Sequence, residues 1–203
     1  GIFATGDYIE FWGERNDGKP DNILYRNTDY QLSDDYSLQT DTAAFYLTFN
    51  TSGSNLRLVN TSYVLPTGQT AEPFFLHSAS KSYREKINRG FAQPVGEWVY
   101  SSAYDQGEGF TSSDIGTGGS RTESFTNLFV YTGVGAPDPV MRVNAAGNAF
   151  NPRQFEVKVD GTQRALLTMD FMDYVKSVFT IPLSSISTGT ANIEIKNLCS
   201  NAN

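Results

Sequence analysis

Gly6 to Phe49 reads GDYIEFWGERNDGKPDNILYRNTDYQLSDDYSLQTDTAAFYLTF, and the fold assigned to this chain turns on it. At its start Ile9 and Phe11 alternate with Tyr8, Glu10 and Trp12, the period of a half-buried strand. At its end Phe45, Leu47 and Phe49 alternate with Tyr46 and Thr48. The about thirty residues between them hold no helical period, and so long a connection in a compact domain is normally pinned down or put to use. The stretch therefore predicts strand, long Asp/Asn/Tyr-rich loop, strand.

Further along, residues 55–60 (NLRLVN) alternate again after a turn at 51–54, and Pro66-Thr67-Gly68 marks another turn. Phe74 to Ile87 is read as strand. Residues 90–119 read as loop, because their glycines disfavour a helix. Strands are expected at Thr122–Thr132 and Val140–Phe150. Gln154–Val159 shows the clearest alternation in the chain and runs into Asp160-Gly161, a hairpin signal that pairs it with Arg164–Met169. Tyr174–Leu183 follows, then a turn or single helical turn at 184–189, and Asn192–Lys196 closes with Ile193 and Ile195 inward. About ten short strands, long loops and no long helix predict an all-β fold, an antiparallel two-sheet β-sandwich of jelly-roll type. The 203 residues fit a single domain, 1–203.

Net charge is −7 and no Lys/Arg run is present, which argues against nucleic acid and anionic membrane surfaces as partners. No apolar run approaches the ~20 residues of a membrane span, so membrane insertion is not expected. Charged residues make up only 18% and aromatics 13%, a mixture suited to turn-rich β structure in an exported protein. The abrupt start and the small polar residues at 200–203 suggest a piece of a longer chain.

The chain has one histidine, His77, and one cysteine, Cys199. Nucleophilic catalysis needs nucleophile and base in contact. One falls in an aromatic strand and the other near the end, so no catalytic pair is expected; two such residues also fall short of a zinc site. Asn16, Asp17 and Asp21 around Gly18, with Asn22 beside them, are an oxygen cluster of the kind calcium takes, and Asp34, Asp35 and Asp41 follow. The same residue types are turn formers that cap backbone amides, and turn chemistry by itself accounts for them. Glu10, Glu14, Glu97 and Glu108 offer carboxylate pairs of no diagnostic spacing. Trp98, Tyr100 and Tyr104 form a candidate aromatic platform for a glycan. Residues 116–120 (GTGGS) are a flexible loop and not a phosphate cradle.

D-Y-I-E-F-x-G-E, N-D-G, L-Y, D-D-Y-S-L and T-D-T-A-A-x-Y-L-T, all between Asp7 and Thr48, resemble the pattern ahead of the catalytic domain in gingipain-like cysteine peptidases of Bacteroidetes, including the type IX secretion sortase group. Glu108-Gly109-Phe110 stands where that family tends to have Glu-Gly-Trp. The region from Val140 to Asn197 is similar to its V-x-V-D-G hairpin and its I-P-x-x-x-I-x-x-G-x-x-x-I-x-I ending. The family's catalytic His and Cys lie in a later domain that the resemblance does not reach. It implies a non-catalytic accessory or scaffold domain without a cofactor, in a secreted, cell-surface or outer-membrane-associated protein. Its partner would be the downstream peptidase domain. Tyr30, Asp34, Asp35 and Tyr36 are the expected contact residues, because aromatics in a long loop call for burial or a partner.

Overall fold

Strands dominate the regular structure, and every strand pairing among the described residues is antiparallel apart from one isolated bridge. The structure is a computed structural model, and it describes residues 5–6, 8–48, 50–53, 59–90 and 102–200. Eight strands are assigned there: β1 (Lys86–Asn88), β2 (Gly109–Thr111), β3 (Ser120–Phe125), β4 (Val140–Ala146), β5 (Arg153–Val159), β6 (Thr162–Met169), β7 (Tyr174–Thr180) and β8 (Ala191–Asn197). They form a four-stranded sheet in the order β3-β8-β5-β6 and two ladders, β4-β7 and β1-β2.

The hairpin read from the sequence is present. Asp160 and Gly161 both take positive φ, 47° and 78°, the conformation that a tight right-twisting turn demands. β6 begins at Thr162, two residues before the expected partner, and the register shifts between Val157 and Lys158. Phe155, Val157 and Val159 are buried as the alternation requires, and Glu156 on the opposite face is buried too, paired with Lys158. Val157 and Phe155 join Met169 of β6 and Val143 of β4 in one cluster, against which Met141, Ala145, Val175, Phe179, Ile193 and Ile195 pack. Side chains of the β4-β7 ladder and of the four-stranded sheet thus share a core. Each fully buried aliphatic in it contributes about 1.5–3 kcal/mol relative to exposure. A second cluster of Val159, Ile181 and Ala191 extends it, with Leu128 and Ile186 alongside. β7 ends at Thr180, short of the expected Leu183, and a single 3-10 turn follows at Leu183–Ser185, beginning one residue ahead of the turn read at 184–189.

The first half departs from its reading. Residues 8–12 and 45–47 carry no strand; Phe11 and Phe45 meet ring to ring at 5.6 Å, while Trp12 stays 80% exposed. Alternation specifies which face a strand would bury but supplies no ladder partner, and among the described residues neither segment is paired in a ladder. Of residues 74–87 only the end is strand, and β2 lies inside the stretch read as loop. The strand expected over 122–132 stops at Phe125, beyond which Asn127 turns to φ 57°. Residues 54–58 and Phe49 lie outside the described residues.

Candidate functional site

The long loop is pinned down over residues 15–41. It contains two 3-10 segments, Lys19–Leu24 and Thr28–Tyr30, the first entered through Gly18 at φ 88° and the second capped by Asn27, whose side chain accepts from Asp29 N–H at 3.0 Å. Gly18 is required there, because a Cβ would stand 2.3 Å from the Tyr36 carbonyl oxygen. The Gln31 side-chain amide donates to the Gly18 carbonyl at 2.7 Å. Asp21, buried, accepts from the Ser37 hydroxyl at 2.9 Å and from Leu38 N–H at 2.8 Å. Ser37 Oγ in turn accepts from Gln39 N–H and Thr40 N–H.

The loop is also fastened to the rest of the chain. Tyr25 forms a parallel bridge with Tyr104, and its hydroxyl donates to the Glu108 carbonyl at 2.6 Å. Burial pushes the Tyr25 phenol well above its usual range. The Glu108 carboxyl is also raised, chiefly by burial, although it accepts from Asp105 N–H at 2.9 Å. Asn144 of β4 donates through its side chain to the Leu32 carbonyl.

The calcium candidates are engaged by donors. Asn16 Oδ1 accepts from Gly18 N–H at 3.1 Å and its amide donates to the Thr40 carbonyl at 2.8 Å. Asp17 accepts from Lys19 N–H at 3.0 Å and pairs with the Lys19 ammonium, which lowers its carboxyl pKa. Asp21 holds Ser37 and Leu38. The acceptor roles of Asn16 and Asp17 are the local backbone caps of turn chemistry, whereas Asp21 ties residues 16 and 17 positions further on. No three His, Cys, Asp or Glu side chains converge among the described residues.

The expected partner-contact residues all lie in this module. Tyr30 meets Tyr174 of β7 edge to face at 5.7 Å, and Tyr36 meets Phe110 of β2 at 6.2 Å, with the Arg84 guanidinium 5.8 Å from the Tyr36 ring and 4.7 Å from that of Phe110. Asp35 accepts from the Ser82 hydroxyl, and its carbonyl accepts from Arg15 at 2.6 Å. Asp34 is exposed. Of the sugar-platform residues, Trp98 and Tyr100 lie outside the described residues, as does Glu97. Tyr104 packs on Tyr25 at 5.1 Å, and its hydroxyl meets the Gln39 amide. Glu10 and Glu14 are exposed on the opening segment, away from any strand.

His77 and Cys199 occupy different surroundings. The imidazole lies edge-on to Phe129 at 5.6 Å, whereas the thiol lines a cleft of about 790 Å³ with Arg153, Asp170 and Asp173. Two features escaped the sequence reading. One is a polar cluster in which Arg121 grips Glu85 through two nitrogens, at 2.6 and 2.9 Å, bonds Glu123 at 2.8 Å and stacks 4.2 Å over Tyr83. The other is a cleft of about 340 Å³ between the loop and the β4-β7 ladder, lined by Lys19, Asn22, Gln31, Asp34, Arg142 and Lys176 among others. Both assemble from separate segments, and no local motif announces them. No family model, no curated protein and no solved structure matches the chain.

Proposed function

We propose that this chain is a non-catalytic accessory β-sandwich of jelly-roll type, with about ten strands, serving a gingipain-like cysteine peptidase at the cell surface or outside the cell. In this reading it supports the peptidase domain or the secretion of its parent protein. The shared core between the β4-β7 ladder and the four-stranded sheet supports the sandwich. The motif resemblance over Asp7–Thr48 supports the parentage.

The observation that carries the accessory role is apolar surface left without cover. Trp12 at 80%, Tyr63 at 98% and Leu76 at 85% exposure stand along segments 8–12, 59–65 and 74–80, with Tyr46, Phe75 and Leu47 also exposed. Exposed apolar residues that adjoin along a segment, as Tyr46 and Leu47 or Phe75 and Leu76 do, mark protein contact surfaces, and aromatic anchors carry most of the energy in such contacts. In this reading the contact lies on these segments together with the loop residues Asp34 and Asp35, while Tyr30 and Tyr36 pack within the chain.

The test is binding between this chain and a separately expressed peptidase domain of the same polypeptide, measured by calorimetry. Binding that weakens in Trp12→Ala and Tyr63→Ala, with Tyr36→Ala acting only through stability, is the expected outcome. Absence of binding refutes the reading.

A further inference from the structure

The outer face of the β4-β7 ladder carries two cations that make no ion pair among the described residues, with the Asp34 carboxylate on the wall of the cleft above them. Met141, Val143 and Ala145 of β4 face the core with Val175 and Phe179 of β7, so Arg142 and Lys176 point the other way. Asn144 pairs with Lys176, and Arg142 pairs with Val178. Arg142 and Lys176 are therefore diagonal cross-strand neighbours, about 7–8 Å apart at the backbone. Among the described residues neither makes an ion pair, whereas Lys19 across the cleft is held by Asp17. Two unneutralised cations side by side are unfavourable by themselves, and they stand out in a chain of net charge −7.

The loop makes this face a cleft. Asn144 donates to the Leu32 carbonyl and Tyr30 packs on Tyr174, so the wall above the cations is held in place before any ligand arrives. Asn22 and Gln31 line that wall. Each gives its amide N–H to a loop carbonyl, of Thr28 at 3.0 Å and of Gly18 at 2.7 Å, which leaves an acceptor oxygen on each side chain. The cleft therefore offers the cations of the ladder on one side and, on the loop side, the acceptors of Asn22, Gln31 and the Asp34 carboxylate, within about 340 Å³, the low end of small-ligand sites.

A bare oxyanion satisfies the cations and leaves the acceptors without donors; a neutral sugar does the reverse. A sugar ring with a carboxylate supplies both. We propose that this cleft binds a single carboxylated sugar residue, its carboxylate between Arg142 and Lys176 and its hydroxyls donating to Asn22 and Gln31. The proposal is independent of attachment to a peptidase.

Titration of the full chain with D-galacturonate, D-galactose and inorganic phosphate, followed by calorimetry or NMR shifts, tests it. The first two differ only in the carboxylate. Galacturonate is expected to bind, with galactose and phosphate weaker by roughly tenfold or more, the usual scale of a charge-assisted contact. Arg142→Gln and Lys176→Gln are each expected to weaken galacturonate by roughly tenfold at unchanged melting temperature, while Lys196→Gln on β8 leaves it intact. Absence of galacturonate binding, phosphate binding as tight as galacturonate, or indifference to both cleft substitutions overturns the proposal.

Discussion

Asp21 and Ser37, separated by 16 positions, are both buried, and the serine hydroxyl donates to the aspartate carboxylate at 2.9 Å. The same carboxylate accepts Leu38 N–H, and the serine oxygen accepts two further backbone amides. One pair of side chains thus organises both ends of the loop. Removing either partner strands buried donors.

Asp21→Ala is therefore expected to destabilise the chain by about 1–3 kcal/mol in urea unfolding, the cost of leaving buried polar groups unpaired. Asp21→Asn, which keeps one acceptor oxygen, is expected to lose less. A melting curve for Asp21→Ala that superimposes on the wild type would show that the loop is not part of the cooperative unit.

Gly18 and Gly68 share φ 88° but differ in space: a Cβ at Gly18 would meet the Tyr36 carbonyl at 2.3 Å, and one at Gly68 would meet nothing within 4 Å. Gly68→Ala is expected to cost about 1–2 kcal/mol, the left-handed penalty alone. Gly18→Ala adds a steric clash with backbone, and its loss of stability is expected to exceed that of Gly68→Ala. Equal losses in the two variants would refute the close approach.

The Glu85 carboxyl is held at about 2 by the Arg121 fork, with the Ser113 hydroxyl and N–H adding to it. Its folded pKa is depressed, so its stabilisation is present above the ordinary value of 4.5 and disappears as pH falls through about 2. Wild type should lose melting temperature across that window more steeply than Glu85→Gln, and added salt should narrow the gap, because the pair is partly exposed. Parallel pH profiles for the two proteins would remove the ion pair from the account.

What the sequence made legible follows from how local each signal is. The β5-β6 hairpin combines a turn with fixed φ requirements and a two-residue alternation, and both act within a few residues of each other. The inward residues Ile193 and Ile195 of β8 were legible for the same reason. The opening stretch carries equally good alternation, but a strand exists only when another strand bonds its edge, and that partner is not written in residues 8–12. Loop chemistry was readable at Asn16 and Asp17, which cap amides two residues ahead. Tyr36 against Phe110, Arg121 against Glu85 and Arg142 beside Lys176 were not, since each is created by the topology that brings distant segments together.

Asp160 combines two contributions that substitution can separate. Its φ of 47° penalises most side chains, and its Oδ1 accepts from both Asn192 N–H and the Asn192 amide at 3.0 Å, fastening the hairpin turn to β8. Asp160→Asn keeps an acceptor oxygen and a tolerance for left-handed backbone, so it should remain close to wild type. Asp160→Gly keeps the conformation and loses the acceptor, with an expected cost of about 0.5–1.5 kcal/mol. Asp160→Ala loses the acceptor and adds about 1–2 kcal/mol of backbone strain. The expected order of stability is Asn above Gly above Ala, read from chemical unfolding, with the Asn192 amide exchanging faster in the Gly and Ala variants. Gly equal to or below Ala would show that backbone strain at this turn is negligible and that the hydrogen bonds to β8 alone set the register.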